Sequence, residues 1–287
     1  MSVLLLGATL WGVLWYPLRL LEEQGLSGLW LTLIINAVAL GVGLPWLWQR
    51  RAELKQHPWL LFTLGLVTGL CNTTFVLAVI EGNVVRVLLL FYLSPLWASL
   101  LGRVVLGERL STRAWGLLAV AMAGALIMLW DGAAAGAFWL HDRADLLALL
   151  SGFTFALSNV LIRKLQRISV PVKTISAWAG GVLVAALWLL LSAQPLPQVS
   201  STALIYAIAL GAFGITVMTL AVQYGVTRMP VQRSAVILLF ELVVGAVSAA
   251  WLAGETVQAH EWLGGALIVL AGYFSARSRS SSSPDAA

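Results

Sequence analysis

The chain has 287 residues, 60% of them hydrophobic and 10% charged, with a mean hydropathy of +0.93 and a formal net charge of +5. Soluble domains carry about 25% charged residues, so the composition excludes a soluble globular protein and points to an integral membrane protein. The basic excess sits in short gaps between apolar runs, which argues against a nucleic-acid surface, and a single cysteine, Cys71, excludes an intramolecular disulfide.

A hydropathy window of about 19 residues predicts ten transmembrane helices. Span 1 (3–21) carries Trp11 and Trp15 at i, i+4, hence on one face, followed by Tyr16 and Pro17. No basic residue precedes it and no small-residue cleavage site is evident, so it is expected to be retained and not a signal peptide. Span 2 (28–48) carries Asn36, span 3 (59–80) carries Asn72 and Thr73, and span 4 (86–106) carries Arg86, Tyr92, Ser94 and Pro95. Span 5 (114–130) has small residues instead, including Gly116 and Gly124. A connection, 131–143, leads to span 6 (144–166) with Ser158 and Asn159 and to span 7 (171–192) with Trp178. Span 8 (201–225) holds Thr219 and Gln223, span 9 (233–253) holds Glu241, and span 10 (259–276) holds Gly264, Gly265 and Gly272. The tail SRSSSSPDAA (278–287) is expected to be disordered. All spans are read as helices, because lipid leaves backbone polar groups no other partner and no period-2 barrel pattern occurs.

Ten spans put both termini and loops 2–3, 4–5, 6–7 and 8–9 on one side. That side collects 14 of the 17 Lys and Arg residues, leaving Arg19, Arg86 and Arg143 opposite. The positive-inside rule then places both termini in the cytoplasm, with the bacterial inner membrane as the expected location.

The chain also reads as written twice. LSPLWASLLGRVVLGE (93–108) aligns with FELVVGAVSAAWLAGE (240–255) at an offset of 147, which also pairs Arg86 with Arg233, Asn72 with Thr219 and Trp115 with Trp262. At an offset of 144, WGVLWYPLR (11–19) meets FALSNVLIR (155–163). Two five-span units, 1–130 and 144–277, follow. An odd number of spans makes the second unit enter the membrane from the opposite face, the arrangement of secondary transporters whose site lies near the midplane. The predicted fold is therefore an all-α integral membrane protein of ten transmembrane helices in two inverted five-helix repeats.

Pro95 in YLSPLWASLLGRVVLGERL, Glu108, Glu241 and the AGE at 253–255 resemble the drug/metabolite transporter superfamily, and EamA-type bacterial exporters in particular, over about residues 3–276. One departure is that Leu242 follows Glu241 where the family often has proline, so Pro95 lacks a counterpart. The resemblance implies a central cavity lined by spans 1–4 and 6–9, with spans 5 and 10 peripheral, and export of amino acids or similar small metabolites.

The candidate cavity residues are Trp11, Trp15, Asn36, Asn72, Arg86, Tyr92, Ser94, Asn159, Trp178, Thr219, Gln223 and Glu241. Glu241, the one polar side chain in ILLFELVVG (237–245), either faces a cavity and binds a proton or a substrate amine, or is a packing residue bonded to a neighbouring helix. Arg86 either receives a substrate carboxylate or snorkels to the interface beside Glu81. The tryptophans serve as cavity walls or interfacial anchors, and each buried polar residue serves as a ligand or an interhelical bond. Glu108 and Glu255 are expected to cap the following helix or hold neighbouring arginines. The glycines of spans 5 and 10 suit close packing or a homodimer through those spans.

Neither a Ser/His arrangement in the bilayer interior nor a Walker A sequence, a metal-ligand cluster or a selectivity-filter motif is present in the sequence. The expectation is a non-enzymatic secondary transporter without cofactor, acting on a small-molecule substrate in the lipid bilayer, with proton coupling open. A multidrug or toxic-metabolite exporter of the same architecture is the near alternative, and a non-transporting membrane scaffold subunit is the alternative of another class.

Overall fold

The computed structural model describes residues 2–81, 87, 90–108, 111–128, 142–252 and 258–277, and every regular element among them is helical. Arg86, Glu255, residues 129–130 at the end of span 5, residues 131–141 of the connection and the tail 278–287 lie outside the described residues. The first half contains α1 (Ser2–Val13), α2 (Trp15–Glu23), α3 (Gly28–Leu54), α4 (Pro58–Glu81), α5 (Ser94–Leu106) and α6 (Thr112–Met128). The second contains α7 (Arg143–Lys164), α8 (Val170–Ser192), α9 (Ser201–Ala209), a π-helical segment Leu210–Ile215, α10 (Thr216–Thr227), α11 (Val231–Leu238), α12 (Phe240–Leu252) and α13 (Ala259–Arg277). Among the described residues, seven helical stretches are long and apolar enough to cross a membrane, and Ser94–Leu106, Thr112–Ile127 and Trp262–Phe274 are shorter apolar helices.

Local chemistry explains the helix starts. Asp142 accepts from the Asp145 N–H (3.0 Å) ahead of α7, and Ser200 accepts from the Ala203 N–H (3.1 Å) ahead of α9, each satisfying an orphan donor of a first turn. Proline opens α4 at Pro58 and sits at the second residue of α5 and of α8, where a missing N–H costs nothing.

The helices pair mainly across the two halves. α4 lies against α7 and α8, α3 against α8 and the π segment, α1 against α10 and α12, α5 against α7 and α11, and α6 against α13. The tightest approach is between α4 and α8: a Cβ on Gly180 would stand 1.8 Å from the Gly65 carbonyl oxygen, and one on Gly69 would stand 2.3 Å from the Gly180 carbonyl. Small residues are what permit such contact, since lipid is no less apolar than a leucine side chain and gives helices little hydrophobic reason to associate. Gly124 and Gly264 bring α6 and α13 together in the same way, a Cβ on Gly124 falling 2.7 Å from the Gly264 carbonyl.

Burial is inverted relative to a water-soluble protein. Large apolar side chains such as Trp251, Leu191, Trp59 and Phe213 are exposed, whereas Thr73, Thr74, Ser151, Asn159, Lys173 and Ser234 are buried. With hydrocarbon as solvent, apolar groups face outward without cost and polar groups seek one another inside.

Candidate functional site

Spans 4 and 9 both break, and they break at equivalent points. Span 4 is non-helical at Tyr92 and Leu93, immediately before Ser94 and Pro95 open α5. Span 9 breaks at Leu239, before Phe240 and Glu241 open α12. The missing proline is therefore not needed for the second break: the Leu239 N–H still reaches the Ala235 carbonyl at 3.3 Å while the chain restarts its helix one residue later. The consequence is that Ser94 and its repeat counterpart Glu241 each stand in the first turn of a fresh helix. The positive end of the helix dipole favours a carboxylate there.

Between these breaks lies a small cavity. It is lined by Phe91, Tyr92, Ser94, Pro95 and Ala98 of the first half and by Phe155, Asn159, Ala235, Leu238, Leu239 and Glu241 of the second. The Tyr92 hydroxyl is a polar partner of the Glu241 carboxyl, and the Phe91, Tyr92 and Phe155 rings stack around it with centroids 5.2–5.4 Å from Phe91. The space measures about 10 Å³ for the centre of a water molecule, room for about one water. As it stands, the space is too small for a metabolite.

Four sequence candidates, Tyr92, Ser94, Asn159 and Glu241, thus meet at one place. The other candidates among the described residues do not line this cavity, and Arg86 lies outside those residues. Trp15 donates its indole N–H to the Ser248 hydroxyl at 2.9 Å, holding α2 to α12, and Trp11 packs in an apolar cluster with Leu14 and Met218. Asn36 donates to the Thr32 carbonyl at 2.8 Å and lies against Gly181, where its amide fills the space a Cβ would take. Trp178 is buried and donates to the Thr219 hydroxyl at 3.4 Å. Gln223 is buried, and its side-chain oxygen has no hydrogen-bond partner among the described residues. Asn72 is half-buried on α4. Gly12 carries no chemical signal in the sequence yet sits beside the site: a Cβ there would stand 2.7 Å from the Glu241 carbonyl oxygen, so α1 packs directly on the turn that holds the carboxylate.

A second polar cluster lies at one end of the same helices. Gly107, at φ +69°, reverses the chain after α5, and the N–H groups of Gly107 and Glu108 return to the Arg103 and Gly102 carbonyls. The turn delivers Glu108 not to the following helix, as expected from sequence, but to the other half: Oε2 accepts from the Val231 N–H at 3.0 Å and Oε1 lies 3.7 Å from Arg163 Nε. Burial pushes the Glu108 carboxyl up from its ordinary value, partly offset by the Val231 N–H and the Arg163 guanidinium. Arg163 also donates to the Thr227 carbonyl at 2.8 Å, and the fully buried Lys173 donates to the Ile162 carbonyl and the Thr227 hydroxyl. Lys173 lies in the first turn of α8. Because Gly107 has open space around its Cβ position, only its backbone conformation resists substitution. Gly107→Ala is expected to lower stability by about 1 kcal/mol, measurable as a lower midpoint of thermal unfolding in detergent.

Comparison with known proteins assigns this architecture. Residues 1–130 and 142–277 match the EamA-like transporter family. The chain belongs to this family. The EamA-like chain is also 30% identical over 146 residues to Protein RarD of Salmonella typhi and of Salmonella typhimurium; the match covers 50% of this chain and 44% of each relative. A solved crystal structure aligns over 96% of both chains with a TM-score of 0.76 at 18% identity, a likeness of fold alone. As a member of this family, with seven helical stretches among the described residues long and apolar enough to cross a membrane, this EamA-like protein is a multi-pass membrane protein.

Proposed function

We propose that this EamA-like protein is a secondary transporter that exports small, amino-acid-like metabolites across the bacterial inner membrane by alternating access between two inverted five-span halves, with both termini cytoplasmic. The observation that carries the reading is Glu241: a carboxylate facing Tyr92, Ser94 and Asn159 where the two helix breaks meet, walled by residues of both halves. The helix pairings lend support, since exchanging each first-half span for its second-half counterpart turns α4–α7 into α10–α1, α4–α8 into the π segment–α3, and α5–α7 into α12–α1. The two stretches matched by the family divide the chain at the same place as the repeat. Glu241 takes up a proton from one side and releases it to the other as the cavity alternates, and Arg86 receives the substrate carboxylate. A homodimer through the α6–α13 face completes the proposal; Gly116 and Gly272 there have open space beside them.

A screen of amino acids, nucleobases and toxic analogues for uptake into proteoliposomes tests this. Saturable uptake of an amino-acid-like compound is expected, and Asn159→Ala should raise its KM about tenfold by deleting a polar contact. Uptake no greater than in protein-free liposomes for every compound would overturn the reading. The multidrug alternative is favoured by one observation: the described lining pairs a carboxylate with three aromatic rings and contains no Lys or Arg. Transport of apolar monovalent cations in preference to zwitterions would decide for it.

A further inference from the structure

Three helices that line the cavity also converge at the Glu108 cluster. α5 carries Ser94 and Ala98 at the cavity and ends in the turn that holds Glu108. α7 carries Asn159 at the cavity and Arg163 four residues on, about 6 Å along the axis. α11 starts at Val231, whose N–H bonds Glu108, and carries Ala235 and Leu238 to the cavity. Between the two sites Ala98, Ala156, Val160, Val231 and Ala235 form a closely packed apolar plug, flanked by Trp97 and Leu101. One carboxylate therefore ties together the ends of all three helices, beyond the apolar plug that separates it from the cavity. A second tie of the same design stands nearby in the fold: Glu53, in the last turn of α3, accepts from the Ser169 N–H at 2.7 Å at the start of α8. In both cases a first-half carboxylate bonds the backbone at the start of a second-half helix.

The repeat counterpart of Glu108 is Glu255, which lies outside the described residues. The repeat places Arg19 where Arg163 stands, and Arg19 is exposed (62%) and bridges to Glu23 on its own helix at 3.4 Å.

We propose that Glu108 is the latch of the conformational cycle: with Arg163 and the Val231 N–H it holds α5, α7 and α11 together, and its release parts the apolar plug and opens the cavity to the Glu108 face. The latch rests on the transporter reading above. Nothing covalent changes; the carboxylate exchanges its protein partners for water when the face opens. A merely structural cap would stabilise the fold equally in every state, whereas a latch stabilises one state against the other, and only the second shifts which face reaches the cavity.

The test places a reporter cysteine in the plug. In a Cys71→Ala, Ala98→Cys background, the rate of alkylation by a membrane-impermeant maleimide is measured in right-side-out and inside-out vesicles. Glu108→Ala and, separately, Val231→Pro are then added. The second keeps all charges and suits a first helical position, since Pro230 before it is already extended at φ −55°, ψ 144°; it removes the N–H donor and exchanges one buried apolar side chain of the plug for another of similar size. Each change is expected to raise labelling from the Glu108 face about tenfold and to lower it from the other. If both variants melt at lower temperature while labelling keeps its wild-type rate and sidedness, Glu108 is a cap and the latch is wrong, although alternating access stands where the reporter is still reached from the opposite face. A reporter unreachable from both faces in wild type and in every variant would overturn the transporter reading along with it. If Glu108→Ala does not fold, Val231→Pro decides alone.

Discussion

Replacing Glu241 with glutamine is expected to remove the response of transport to an imposed pH gradient while leaving the fold intact. The substitution retains the length and planarity of the side chain and keeps an oxygen facing the Tyr92 hydroxyl, so the cavity among Phe91, Phe155 and Asn159 keeps its shape. What it removes is the ability to gain and lose a proton. The measurement is substrate flux in proteoliposomes with inside-acid, inside-alkaline and symmetrical buffers. Wild type should differ between the gradients, and Glu241→Gln should show equal flux in all three. A Glu241→Gln variant that still follows the gradient as wild type does would show that the proton role lies elsewhere. Tyr92→Phe is the useful companion: it removes one hydroxyl beside the carboxyl, leaves the ring contact with Phe91, and should retain the gradient response with a reduced rate.

The largest effect on stability is expected from Gly180→Ala. In an ordinary exposed helix the change would help, since alanine is favoured over glycine by about 0.8–1.0 kcal/mol. Here the added methyl would stand 1.8 Å from a carbonyl oxygen and 2.0 Å from its carbon, both backbone atoms of Gly65 on α4, which no side-chain rotation can relieve. α4 and α8 must separate, and the same contact also uses Gly69 and Ser176, so several close approaches are lost together. A destabilisation above about 3 kcal/mol is expected, beyond the usual cost of overpacking. Gly116→Ala on α6 is the control: its Cβ would meet nothing within 4 Å, and the propensity gain should leave stability unchanged or slightly raised. Thermal unfolding of the two variants in the same detergent checks both; equal midpoints would show that the α4–α8 contact has room to give.

Much of the helical layout was legible in the residues. Continuous apolar runs set where helices form, because in a bilayer length and hydropathy leave few other choices, and the offset of 147 paired Ser94 with Glu241; the break at Leu239 was not legible, since no proline marks it. The polar residues around those breaks were legible too, as four of the named candidates line the cavity. Other features were not. The glycines of the closest helix contact, Gly65, Gly69 and Gly180, look no different in sequence from Gly116 or Gly272, since a glycine's value depends on which backbone lies opposite. Trp178 and Thr219 were legible as buried polar groups but not as partners of each other, because they lie 41 residues apart and meet only through the helix arrangement.

By itself, then, the order of residues determined a membrane-spanning helical chain, its internal likeness and the carboxylate at the centre of span 9, because these depend on local composition and on register along one chain. Tertiary structure decided what that carboxylate faces, which glycines are indispensable, and that Glu108 reaches Val231 and Arg163 instead of its own following helix. Those are relations between segments more than 50 residues apart. The energy of each lies in distance and direction across helix interfaces, which no single stretch of sequence contains.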